Sequence, residues 1–229
     1  SARFGSRCPI CMEEWDVNEH TSLQICCCRR VCSSCGDKLH GKPCPLCRLP
    51  WPESDAEALA RLRRHVENEV PEAITYLGNA YREGDLGLRS DKKAVKLYKR
   101  AMELGDVIAM LNLGCSYDHG QGVKMNKKKA LQLFRMAADR GYARARFNLG
   151  HMLLEEQYDE SQREGFEYLK LSAAQGLTSA LYQVGFCYAH GSVTETDLAE
   201  AKRWFERAAA KGHKDAIRGL EVLAGRHSS

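Results

Sequence analysis

No apolar run in the 229 residues approaches the roughly twenty needed to span a bilayer, so neither a membrane helix nor a membrane partner is expected. Nothing resembles a secretory signal. No serine, histidine and acid set, phosphate-binding loop or pair of catalytic carboxylates stands in recognisable context, and no residue is assigned a catalytic role. The chain opens on Ser1 without an initiator methionine, as a fragment of a longer protein would. Beyond Leu49 cysteine almost vanishes, leaving only Cys115 and Cys187.

What is present is concentrated at the amino terminus. Cys8, Cys11, Cys26, Cys27, Cys28, Cys32, Cys35, Cys44 and Cys47 read as C-P-I-C, C-C-C-R-R-V-C-S-S-C and C-P-L-C. Two cysteines separated by two residues turn back onto one tetrahedral zinc, and three such pairs with the Cys26–Cys28 group as a fourth predict two zinc ions. A disulfide framework is disfavoured by the odd number of clustered cysteines, by the spacing and by the missing signal. Zinc thiolates imply a reducing compartment, so an intracellular site, cytosol or nucleus, is expected.

The formal net charge is +4. Eight ligating thiolates add about −8 and two zinc ions about +4, which brings the loaded chain near zero. Nucleic-acid binding needs a concentrated basic face, and none is expected. The cluster of Lys124, Lys127, Lys128 and Lys129 reads as a solvated helix start.

Composition changes at Leu49-Pro50-Trp51-Pro52, which divides a zinc-binding segment, 1–50, from the alanine-, leucine- and glycine-rich remainder of the chain. Residues 51–70 form a linker and connecting helix. Ser54-Asp55-Ala56-Glu57 has the pattern of a capping box, with a helix from about Asp55 to Glu69 ended by Pro71. From residue 71 the chain repeats: A-I-T-Y-L-G-N-A-Y, A-M-L-N-L-G-C-S-Y, A-R-F-N-L-G-H-M-L and A-L-Y-Q-V-G-F-C-Y align on Gly78, Gly114, Gly150 and Gly185. A second series, Gly105, Gly141, Gly176 and Gly212, keeps phase. The units are 71–106, 107–142, 143–177 and 178–213, with a closing helix at 215–224 inside a domain that runs to 229.

Apolar positions within each unit recur at helical spacing, so each unit is a helical hairpin. The first helix should end at Gly84, Gly120 or Gly191 in a left-handed cap. The third unit reads E-E-Q-Y-D-E-S-Q after Leu154 and lacks that glycine, so its turn should differ. One hairpin cannot bury its apolar face alone, and the units must stack into a solenoid. These residues resemble the Sel-one-like repeat, a relative of the tetratricopeptide repeat, over Glu72 to Leu220. The resemblance implies a scaffold that binds an unidentified protein partner on a concave surface.

The cysteine pairs, in order, resemble the RING finger over about Arg7 to Arg48, and the two domains together resemble algal RING proteins with such repeats. That resemblance implies a mainly α chain: a small cross-braced two-zinc RING followed by an α-helical hairpin solenoid. The first and third ligand pairs would bind one zinc, the second and fourth the other. The algal proteins read C-C-G-K where this chain has Cys26, Cys27 and Cys28, which implies Cys26 with Cys27; Cys26 with Cys28 has the easier geometry. Ile10, Leu39 and Pro45 would touch a ubiquitin-conjugating enzyme, and Arg48 would hydrogen-bond both that enzyme and its ubiquitin. The histidine of many second pairs is absent, and Leu39 stands where many RINGs have tryptophan.

The function implied is a ubiquitin-ligase adaptor acting by positioning, with no covalent intermediate. The alternative is a non-catalytic, zinc-stabilised interaction scaffold. Cys115 and Cys187 read as packing residues. His119 and His190 read as partners of a helix end. His40 is superfluous as a ligand beside eight cysteines.

Overall fold

The computed structural model describes residues 22–24, 29–31, 50 and 52–225. Two short strands, β1 (Ser22–Gln24) and β2 (Arg29–Val31), pair antiparallel, with Ser22 opposite Val31 and Gln24 opposite Arg29. All other regular structure among the described residues is helical.

The connecting helix α1 spans Asp55–Glu67. The Glu57 amide donates to Ser54 Oγ at 3.2 Å, as a capping box requires. The reciprocal contact differs, because Glu57 Oε2 accepts from the Glu53 amide at 2.9 Å, one residue before the cap. That hydrogen bond, with Arg61 beside it, holds the Glu57 carboxyl below its usual range. The helix also stops two residues short of Glu69, which adopts a left-handed φ of 56°. Pro71 does not end α1 but begins the next helix, where its missing amide proton costs nothing.

Four hairpins come next. Their first helices are α2 (Pro71–Glu83), α4 (Val107–His119), α6 (Ala143–Leu154) and α8 (Thr178–His190). Their second helices are α3 (Asp91–Glu103), α5 (Lys127–Asp139), α7 (Asp159–Ala174) and α9 (Leu198–Ala210). A last helix, α10, spans Lys214–Gly225. Gly84, Gly120 and Gly191 cap α2, α4 and α8 with φ of 87°, 70° and 64°, the left-handed conformation glycine adopts freely. In the third hairpin Glu155 ends α6 in a right-handed conformation, and Gln162 Nε2 donates to the Glu156 carbonyl at 2.9 Å to hold the turn.

The alanine that opens each unit, Ala73, Ala109, Ala145 and Ala180, is fully buried, and Ala216 continues the series in α10. The mid-helix glycines let a ring from the paired helix lie against the backbone. A methyl group on Gly78, Gly114 or Gly185 would come within 2.6, 2.6 and 2.8 Å of Tyr98, Phe134 and Phe205. The third hairpin has Leu169 in that place and adds Gly165 opposite Gly150, so the two backbones themselves meet.

The helices belong to two compact bodies, the first reaching Met136 and the second starting at Ala137. Leu62 of α1 joins Ile74, Leu77, Val95, Tyr98 and Leu113 in the core of the first. Burying one such aliphatic side chain contributes about 2 kcal/mol. The second is built on Phe166, Leu169, Leu181, Val184, Phe205 and Leu223.

Candidate metal segment and interaction surface

The residues assigned to zinc, Cys8, Cys11, Cys26, Cys27, Cys28, Cys32, Cys35, Cys44 and Cys47, lie outside the described residues. So do Ile10, Leu39, Pro45 and Arg48, and also His40. The β1–β2 pair borders this segment. Gln24 and Arg29 are direct partners, and Ile25-Cys26-Cys27-Cys28 joins them. Opposed residues in an antiparallel pair lie about 5 Å apart, so the two ends of that cysteine-bearing connection are held together. Cys32 follows Val31 directly. Among the described residues no group of three or more histidines, cysteines or carboxylates is placed to hold a metal. Cys187 is buried at 1% exposure, and burial pushes its thiol up, as suits a packing residue. Cys115 is half-buried.

The repeats present two different surfaces at equivalent positions of their first helices. In the first unit these positions are Thr75 and Asn79, polar and internally satisfied, and in the second they are Leu111 and Cys115. Thr75 donates to Asp106 Oδ2, while Asp106 Oδ1 accepts the Ile108 amide at 3.1 Å and caps α4. Asn79 Oδ1 accepts from the Tyr98 hydroxyl at 2.8 Å and from Asn112 Nδ2 at 2.9 Å, which ties the first unit to the second.

In the second body the same columns carry rings. Phe147 and His151 sit on α6 with centroids 6.3 Å apart. On α8, Tyr182 and Phe186 are 6.2 Å apart, and His190 stacks on Phe186 at 4.0 Å. His213 stacks on Tyr182 at 4.5 Å, and its Nδ1 accepts the Ala216 amide at 3.3 Å. Phe186 remains 37% exposed. Sequence reasoning picked out only His119 and His190 here, and both behave as helix-end partners, with Nδ1 3.0 Å from the Cys115 and Phe186 carbonyls. The ring series was nonetheless visible in the aligned repeats. The third column reads Thr75, Leu111, Phe147, Tyr182, and the seventh Asn79, Cys115, His151, Phe186.

The second body also holds an open polar cleft of about 620 Å³, lined by Asp159, Gln162 and Arg163 of α7 and by the turn from Gly191 to Thr196. Among the described residues no helix is long and apolar enough to cross a membrane.

The family model for the Sel1 repeat matches residues 71–106, 107–142, 143–177 and 178–213. A Sel1 repeat protein from Oxalobacter formigenes superposes with a TM-score of 0.62 over 71% of this chain and 68% of that one, at 27% identity. The antigen c5321 of uropathogenic Escherichia coli, which displays an SLR fold, superposes with a TM-score of 0.51 over 76% of this chain and 45% of its own. At 22% identity that likeness concerns the fold alone. Among curated proteins, the chitin synthase regulator SKT5 of Malassezia restricta is 38% identical over 66 residues, 29% of this chain and 5% of that protein. Roquin-2 of Mus musculus is 47% identical over 38 residues, 17% of this chain and 3% of that protein. The chain thus spans a small fraction of either curated relative. With most of its residues matched by that model, and with the hairpin architecture of a solved member, the chain belongs to the Sel1 repeat family and is a mainly α-helical solenoid.

Proposed function

We propose that the chain is a protein-interaction scaffold whose cysteine-rich segment folds as a RING on two zinc ions and docks a ubiquitin-conjugating enzyme, while the repeats hold the protein to be modified. The observation that carries this reading is the pairing of Gln24 with Arg29. It brings together the residues on either side of Ile25-Cys26-Cys27-Cys28, with a C-x-x-C group before them in sequence and two more after them. Thiolates from these three pairs and from the Cys26–Cys28 group suit tetrahedral zinc, and bound metal would supply the folding free energy of so short a segment. Ile10, Leu39 and Pro45 would offer the apolar contacts for the conjugating enzyme. Arg48 acts as a positioning residue: its planar fork can hydrogen-bond two partners at once and restrain the ubiquitin thioester for attack by a substrate lysine. No side chain of the chain acts as nucleophile.

The test is ubiquitin discharge from a panel of charged conjugating enzymes, with native mass measurement of bound metal. The wild-type chain should carry two zinc ions and discharge ubiquitin. Arg48→Ala should keep the zinc and lose discharge; unchanged discharge would refute its role. A second reading, a zinc-stabilised scaffold that recruits no conjugating enzyme, is favoured by the likeness to a protein named as a regulator of chitin synthase. On that reading the metal is bound and no enzyme of the panel responds.

A further inference from the structure

The second helices of the first two units begin against electrostatic preference. The amino end of a helix carries partial positive charge, which favours carboxylates and disfavours lysines by about 0.3–1 kcal/mol each. Yet α3 carries Lys92 and Lys93 behind a single acid, Asp91, and α5 opens on Lys127, Lys128 and Lys129 with no acid in its first turn. Three of these lysines have local partners. Lys93 lies 5.2 Å from the Tyr81 ring centre, Lys129 lies 5.3 Å from that of Tyr117, and Lys127 pairs with Asp118 at 2.7 Å.

Lys92, Lys96, Lys99, Lys124 and Lys128 are exposed, and among the described residues no carboxylate pairs with them. Lys92, Lys96 and Lys99 are spaced to share one face of α3. The turn before α5 lies directly against the start of that helix. Gly122, with φ of 72°, approaches so closely that a methyl group on it would stand 2.4 Å from the Asp91 carbonyl oxygen and 2.9 Å from the Lys92 nitrogen. The amino end of α3 and the turn that leads into α5 therefore meet in the first body, with Lys96 and Lys99 continuing from Lys92 along α3 and Met125, 60% exposed, in that turn.

We propose that this patch binds an acidic segment of a partner protein, with Met125 receiving one apolar side chain of that segment. It lies on second helices and does not depend on the zinc module. Lysines attract carboxylates as point charges, whereas paired recognition of phosphate favours arginine forks. The rings of Tyr81 and Tyr117 have Lys93 and Lys129 over them and offer no platform for bases. A single methionine gives too little apolar area to enter a bilayer.

The experiment measures fluorescence anisotropy of a labelled glutamate-rich dodecapeptide carrying one leucine. Binding should weaken steeply with salt and fall about tenfold in Lys92→Gln/Lys96→Gln/Lys128→Gln. Lys202→Gln/Lys211→Gln/Lys214→Gln, with the same loss of net charge in the second body, should bind as the wild type does. Met125→Ser should abolish the preference for the leucine peptide over its serine counterpart. Lys128→Glu should raise the thermal midpoint, by relieving the dipole conflict, while weakening the peptide. Equal weakening by the second-body variant would overturn the proposal, as would stronger retention of single-stranded DNA or phosphatidylserine vesicles than of the peptide.

Discussion

Asp106 joins two units with one carboxylate, since one oxygen caps α4 and the other accepts the Thr75 hydroxyl. It is 7% exposed, and Thr75 is 1% exposed, so neither group can turn to water if its partner is lost. Asp106→Ala should therefore cost about 2–3 kcal/mol, a cap plus a buried hydrogen bond, whereas Asp106→Asn should cost less because an amide oxygen can still cap. Urea midpoints of the two variants separate the effects, and equal losses would show that the cap contributes nothing. The equivalent positions hold Tyr142, Leu177 and His213. Of these only His213 caps, and it does so through a ring nitrogen.

Between helices the decisive quantity is how closely two backbones approach. Gly114 faces the ring of Phe134, whereas Gly150 faces the carbonyl oxygen of Gly165 at 2.7 Å from where a methyl carbon would sit. Alanine gains about 1 kcal/mol of helix propensity at either place, and overpacking costs about 1–3 kcal/mol. Gly114→Ala should thus lose about 1 kcal/mol net. Gly150→Ala should lose about 2 kcal/mol net, because a main-chain oxygen moves only if a whole helix moves. Equal denaturant midpoints for the two would contradict this account.

The hairpins, the left-handed caps and the unusual third turn were legible from sequence because glycine and alanine recur in phase, and each of them answers to a local backbone demand. The Gly150–Gly165 contact was not. Gly165 has no counterpart in the other units, and nothing in a single helix pattern says that two glycines will face each other. That Glu57 reaches back was legible in the capping-box pattern, whereas its choice of the Glu53 amide was not, because a flexible carboxylate chooses among several exposed amides of similar worth. The ring series on α6 and α8 could be read from the alignment of repeats, but the sequence did not show that Asn79 of the first unit is satisfied by Tyr98 and Asn112.

Among the described residues, each core draws on neighbouring helices. Repeat arrays of this kind derive their stability from local interfaces. If the cysteine segment depends on zinc, a chelator should remove its fold and leave the helical circular dichroism and thermal transition of the repeats almost unchanged. Loss of the helical transition on chelation would tie the two together and oppose that picture.

The ring-on-glycine fit gives the array spare parts. Since α3, α5 and α9 each present an aromatic side chain to a glycine, a chimera that exchanges one for another keeps the shape of the joint. A graft of α7 opposite Gly114 would set the smaller Leu169 where a ring belongs and leave the joint underfilled, and a graft of α3 opposite Gly150 would force the Tyr98 ring into space already filled by main chain. The third hairpin is therefore the one unit that has to be transplanted whole.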